Sequence, residues 1–286
     1  MNKRYIIYGL KPYRWFKGST LVLLGLLLSR WEVGVGRLDI NIYFGLPIFF
    51  LIACSTILIS IVLKIEDTAN FTMNSKKLTI ISAVLFGVGF VTSLVHTIYY
   101  NLDSLNIYLL AIVGVILVLS LLYGKNWEKK HWLTNILISV CSSFGLIYGA
   151  SLNGILIPFS IFIFFGATFL LQFSKDLISE SKNKERYREV GLSSLSITIG
   201  EKRTKTFSIL LDIIVIILLL LPVLLDIFYI PFLLYLIPMS ITIIIIGIAA
   251  VFTFLIKLEK TYYRLINILL RIGMFFLFIV IFCASF

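Results

Sequence analysis

"IVLKIEDTANFTMNSKKLTI", Ile61 to Ile80, interrupts two long apolar runs. It holds two adjacent acids, Glu66 and Asp67, then Asn and Thr residues, then Lys76 and Lys77. The runs on either side, 42–63 and 78–98, are each about 20 residues long, enough to cross roughly 30 Å of hydrocarbon as helix. A polar stretch between two such runs reads as a loop at a membrane surface. The same alternation continues along the chain, and it makes the protein polytopic.

Composition agrees. Of the 286 residues, 60% are hydrophobic and 14% charged, whereas a soluble domain is nearer half apolar and a quarter charged. Lipid offers no partner for backbone N–H and C=O groups, so apolar blocks of this length are helices and the fold is all-α. The alternating ten-residue strands of a membrane barrel are absent.

Nine candidate helices follow: 19–30 (with its start reaching back into the aromatic segment), 42–63, 78–98, 106–123, 132–150, 154–174, 206–227, 230–256 and 265–285. "DIFYIP" separates the seventh from the eighth, and Pro231 suits a helix start. Charge tests the count. The N-terminal segment and the loops after the second, fourth, sixth and eighth helices together hold 22 of the 25 lysines and arginines. The opposite loops hold only Arg30 and Arg37, and Arg271 lies in the last span. The positive-inside rule then puts the N-terminus in the cytoplasm and the C-terminus outside. The polar loops, about 64–77 and 175–205, face the cytoplasm together, and their spacing hints at a pseudo-repeat within one domain spanning 1–286.

The net charge of +11 does not call for nucleic acid, because topology accounts for it. Cys54, Cys141 and Cys283 are scattered through apolar runs, without the spacing of a metal or disulfide framework. Residues 1–17 are mostly polar or aromatic, and no cleavable signal peptide is expected. His96, Tyr99 and Tyr100 suit an aromatic belt at the outer end of the third span. Asp212 and Arg271 are ionisable groups inside spans, where a buried pair would be mainly structural.

Four segments resemble the UbiA-type prenyltransferase superfamily, nine-helix membrane enzymes that move a prenyl chain from its diphosphate to an acceptor. "KPYRWFKG", Lys11 to Gly18, is similar to the family's R-P-x-x-W-x-K-N. The loop after the second span stands where the family has N-D-x-x-D-x-x-x-D. "SKDLISESKN", Ser174 to Asn183, resembles K-D-x-x-D-x-x-x-D. "GLSSLSITIGEKR", Gly191 to Arg203, resembles G-x-x-T-L-P-x-x-x-G-K-K. The departures are specific. In the first motif Leu63, Lys64, Asp67 and Phe71 align with Asn and three Asp, so only Asp67 is kept. In the second, Lys175 and Asp176 match, and Ser179 and Asn183 replace two aspartates.

The resemblance implies Asp67 and Asp176 as catalytic acids that hold magnesium, with the diphosphate on Arg14, Lys17, Lys64, Lys77, Lys175 and Arg203 as charge-assisted donors. Breaking the carbon–oxygen bond builds negative charge on the leaving diphosphate, which Mg2+ bridges in such enzymes. Each Mg2+ takes hard oxygens, usually from one or two carboxylates, waters and phosphate. Adjacent Glu66 and Asp67 would point about 100° apart on a helix. Asp176 and Glu180 are four apart and share a face, so Glu180 is a substitute ligand by spacing. Alternatively, these acids merely solvate a basic loop. Lys64 has the wrong sign for a metal and the right sign for a phosphate.

Two functions therefore stand. One is an integral-membrane enzyme transferring a prenyl chain from a polyprenyl diphosphate to a lipid or aromatic acceptor, in the plasma or inner membrane. The other is a catalytically inactive homologue acting as a membrane subunit or lipid-binding scaffold, with membrane lipids and complex subunits as partners.

Overall fold

The computed structural model describes residues 13–33, 38–66, 75–100, 107–112, 114–115, 131–153, 157–189, 194–225, 232–255 and 260–285. These are helical almost throughout. In chain order they form α1 (Tyr13–Val33), α2 (Leu38–Glu66), α3 (Ser75–Tyr99), α4 (107–112), α5 (His131–Ser151), α6 (Phe159–Lys182), α7 (Lys184–Glu189), α8 (Leu195–Thr198), α9 (Glu201–Leu224), α10 (Phe232–Leu255) and α11 (Lys260–Cys283). Each of the nine apolar windows holds helix among the described residues. Among the described residues five helices are long and apolar enough to cross a membrane, and Asn41–Ser55 and Asn135–Ser151 are shorter apolar stretches. The protein is an integral membrane protein.

The helix ends follow from local chemistry. α1 begins at Tyr13, inside the aromatic segment. α10 begins one residue after Pro231, whose fixed φ favours a first turn. Gly200 precedes α9 with φ at 88°, a backbone region that disfavours residues with a Cβ. Pro47, Pro222 and Pro238 lie within helices, which packed membrane helices tolerate.

The chain divides into two compact units, one of residues 1–128 and 140–158, the other of residues 129–139 and 159–286. The boundary falls inside α5. In the first unit Val22, Leu26, Ile48, Phe49, Ile52, Leu110, Cys141 and Tyr148 form a buried core. Small residues let backbones touch there. A Cβ on Gly25 would stand 2.1 Å from the Leu146 carbonyl oxygen, and one on Gly149 2.1 Å from that of Val22. α1 and α5 therefore cross backbone to backbone, the usual device where lipid supplies no hydrophobic drive between helices. Ser55 and Ser82 join α2 to α3 reciprocally, each hydroxyl reaching the other's carbonyl at 2.8 and 2.9 Å. His96 is buried and stacks on Phe44 at 5.0 Å, so it is a packed ring within the first unit.

In the second unit α6 is the central helix. Of its apolar window 72% is buried, against 33–44% for α9, α10 and α11. A helix enclosed by other helices can carry a polar face in lipid, and α6 carries the second motif. It continues to Lys182, eight residues beyond the predicted span, so Lys175 to Lys182 are helix and not loop. Asp212 is buried on α9, whereas Arg271 lies on an exposed face of α11. Asp212 accepts no hydrogen bond from Arg271, so a buried Asp212–Arg271 pair is not formed.

Candidate functional site

The motif residues on α6 form a connected buried network. Gln172, Asp176 and Glu180 are spaced four apart and share one face, with Lys175 beside them. Lys175, Asp176 and Glu180 are 5%, 3% and 2% exposed. The acids do not solvate a loop; they sit inside a helix bundle. Lys175 Nζ donates to Gln172 Oε1 at 2.9 Å and stands 3.7 Å from Asp176 Oδ1. Gln172 Nε2 donates to Asp176 Oδ2 at 2.8 Å. One glutamine side chain thus bridges both charges of the Lys-Asp pair. Glu180 Oε1 accepts from Asn135 Nδ2 of α5 at 2.5 Å, and Asn135 is also buried.

Of the two positions where the resemblance expects further aspartates, Asn183 closes the helix end. Asn183 Nδ2 donates to the Ser179 carbonyl at 2.9 Å, and the Asn183 backbone N–H reaches the Glu180 carbonyl at 3.0 Å. They satisfy carbonyls that a helix C-terminus leaves without intrahelical partners.

A second polar group closes the start of α9. Glu201 accepts from the Tyr263 hydroxyl at 2.7 Å, with Lys205 Nζ at 3.2 Å and Lys184 Nζ at 3.9 Å. It ties α7, α9 and α11 together. Gln172, Asn135 and this group were not singled out from the sequence. Only the i−4 spacing of Gln172 from Asp176 could have drawn attention to it. The pairings with Asn135 and Tyr263 span 45 and 62 residues and leave no local signal.

The other candidates are placed as follows. Lys77 and Arg203 are exposed, on α3 and α9 respectively, and Lys17 is half-buried on α1. Arg14 and Lys64 belong to α1 and α2, but their side chains lie outside the described residues, as does Asp67 entirely.

Asp176 already faces an ammonium and an amide, Glu180 an amide, and the Asn183 amide is engaged at the helix end. Among the described residues no three His, Cys, Asp or Glu side chains cluster as a metal would need. A hard divalent ion favours several oxygens, and the described residues alone do not fit it.

The comparisons agree with this architecture. The model of the UbiA prenyltransferase family matches residues 64–280. Among solved structures, one from work on digeranylgeranylglyceryl phosphate synthase in membranes aligns with TM-score 0.72 and 21% identity, covering 94% of this chain and 92% of the other. The apo structure of a UbiA homolog from Aeropyrum pernix K1 aligns with TM-score 0.65 and 13% identity, covering 91% and 96%. A UbiA homolog from Archaeoglobus fulgidus, bound to DMAPP and Mg2+, aligns with TM-score 0.56 and 13% identity, covering 95% and 97%. No curated protein matches the sequence. The family match covers well over half of the chain, and the enclosed motif helix belongs to the same fold: this chain is a member of the UbiA prenyltransferase family.

Proposed function

We propose that the protein is an intramembrane prenyltransferase, a single functional domain that takes a polyprenyl diphosphate and moves its prenyl chain to a lipid or aromatic acceptor. The observation that carries this reading is the burial of Lys175, Asp176 and Glu180 within α6. Charges inside a helix bundle are expensive, and apolar replacements of similar volume are often neutral or stabilising. A bundle kept only as a scaffold has no need of them. Within membrane spans such groups mark substrate pathways by default.

In the proposed reaction the prenyl carbon–oxygen bond breaks and its electron pair leaves with the diphosphate. The acceptor nucleophile bonds the resulting cationic carbon and gives up its proton. Lys175 is preset for the leaving group. Gln172 holds its ammonium, which can offer a donor to a phosphate oxygen. Asp176 keeps that ammonium in place, and Asn135 fixes Glu180. Arg14, Lys17, Lys64, Lys77 and Arg203 are the further diphosphate donors proposed from the motif match, and Asp67 is the remaining motif acid. Mg2+, which the homolog from Archaeoglobus fulgidus holds with DMAPP, would be held here by Asp67, Asp176 and Glu180 and would neutralise charge on the leaving diphosphate. The motif segments face the cytoplasm under the positive-inside assignment.

One observation favours a non-catalytic, lipid-binding relative: Asp176 has both oxygens committed, to Lys175 and Gln172. Purified protein in lipid nanodiscs, given a labelled polyprenyl diphosphate and a panel of lipid and aromatic acceptors, separates the two. Transfer that is lost in Lys175→Ala supports the enzyme. Saturable diphosphate binding without transfer to any acceptor supports the lipid-binding relative.

A further inference from the structure

On the side of α6 turned toward α9 lies a second buried polar group, apart from the motif network. Ser174 precedes the motif lysine by one residue but faces Ser208 of α9, with hydroxyl oxygens 2.7 Å apart. One turn further along α9 comes Asp212. Four residues separate Ser208 from Asp212, so they share a face, about 6 Å apart along the axis. Asp212 is 0% exposed. The Ser174 hydroxyl is its neighbour, yet neither carboxyl oxygen meets hydrogen-bond geometry with any group.

Counting protons shows what the group lacks. A serine hydroxyl has one proton and two lone pairs. Ser174 Oγ also lies 3.4 Å from the Ser208 carbonyl oxygen. If Ser174 donates to that carbonyl, Ser208 donates to Ser174, and both protons are used within the pair. If Ser174 turns to Asp212 instead, the carboxyl group meets one neutral hydroxyl. In either arrangement the group receives no hydrogen bond from any cationic side chain. Arg271, the ionisable residue within the α11 span, lies on that helix's exposed face. Ionised groups at such depth need a compensating charge.

We propose that Ser174, Ser208 and Asp212 form a binding site for a small monovalent cation of the sodium class, seated between α6 and α9. The ion takes oxygen ligands from Asp212 and the two hydroxyls and neutralises the carboxylate. It pins the central helix next to the motif network.

The test is thermal unfolding of the full chain in nanodiscs, in sodium chloride and in choline chloride at equal ionic strength. A ligand that binds only the folded state raises its stability by mass action, and at tenfold excess over Kd the midpoint should rise by about 3 °C. The expected result is a higher midpoint in sodium chloride for the wild type, with the difference removed in Asp212→Asn and reduced in Ser208→Ala. Equal midpoints for the wild type in the two salts overturn the proposal, whatever the variants do. So does a sodium-dependent rise that persists in Asp212→Asn. If Asp212→Asn does not fold, the wild-type comparison and Ser208→Ala decide the matter.

Discussion

Asn135 of α5 donates its side-chain amide to Glu180 of α6 at 2.5 Å, and both side chains are buried. This bond gives a buried carboxylate a partner from a helix 45 residues away. A hydrogen bond to a charged group contributes about 1.5–3 kcal/mol, and leaving the charge without it costs its desolvation as well. Asn135→Ala should therefore destabilise the protein by about 2 kcal/mol, seen as a lower unfolding midpoint in detergent. Asn135→Asp should be worse, because it sets two carboxylates face to face. An unchanged midpoint for both would show that Glu180 does not depend on Asn135.

Lys175 and Asp176 should behave as a coupled pair. Lys175→Met takes from a buried aspartate the ammonium beside it, and Asp176→Asn takes from a buried ammonium the carboxylate beside it. Each single change should cost about 3–5 kcal/mol, whereas the double variant should be much closer to wild type. Thermal unfolding of the four proteins gives the coupling directly. Simple additivity would contradict the network geometry.

Binding of the diphosphate should depend more on salt than on magnesium. The described acids do not assemble a divalent site, and the donors proposed are lysines and arginines, whose attraction is screened within about 10 Å at 0.1 M salt. Titration calorimetry with a short prenyl diphosphate should show less than about a threefold loss of affinity on chelation, but a steep loss as sodium chloride rises. Asp67→Ala should leave binding almost unchanged. If that variant abolishes a magnesium-dependent transfer, the first motif is a working metal site.

The helical windows were legible because lipid dictates them: about 20 apolar residues in a row leave the backbone no alternative to helix. Helix ends were less so. α6 runs on to Lys182 because Lys175, Asp176 and Glu180 find partners within the bundle, and composition alone reads such residues as loop. The motif positions were found through resemblance and spacing, and the shared face of Asp176 and Glu180 is what a four-residue interval implies. Their burial was not foreseen, since a charge in sequence looks the same whether it meets water or Gln172. The partnerships of Asn135 and Tyr263 are tertiary, and nothing local encodes them.

Orientation can be tested with the loops. The asymmetry of 22 cationic residues against two predicts that Lys129 faces the cytoplasm and Asp103 the outside. Single cysteines at these positions, in a background lacking Cys54, Cys141 and Cys283, should react differently with an impermeant thiol reagent applied to intact cells. Only the one at Asp103 should be labelled. Equal labelling of both would mean that a span has been miscounted between them.

The crossing of α1 and α5 offers the sharpest contrast between glycines. A methyl on Gly149 would stand 2.1 Å from the Val22 carbonyl oxygen and 3.0 Å from the Leu26 nitrogen. Both are backbone atoms, which cannot rotate away, so the two helices must separate. Overpacking of this kind costs about 1–3 kcal/mol and occasionally more, and looser packing along the rest of the seam adds to it. At Gly247 on α10 a methyl would meet nothing within 4 Å, and alanine is a better helix former than glycine by about 1 kcal/mol. Gly149→Ala should therefore lower the unfolding midpoint by several degrees, while Gly247→Ala should leave it unchanged or slightly raised. Because the substitution is chemically identical, the sign of the difference reports only what each glycine faces. Equal effects at the two sites would remove the backbone contact between α1 and α5.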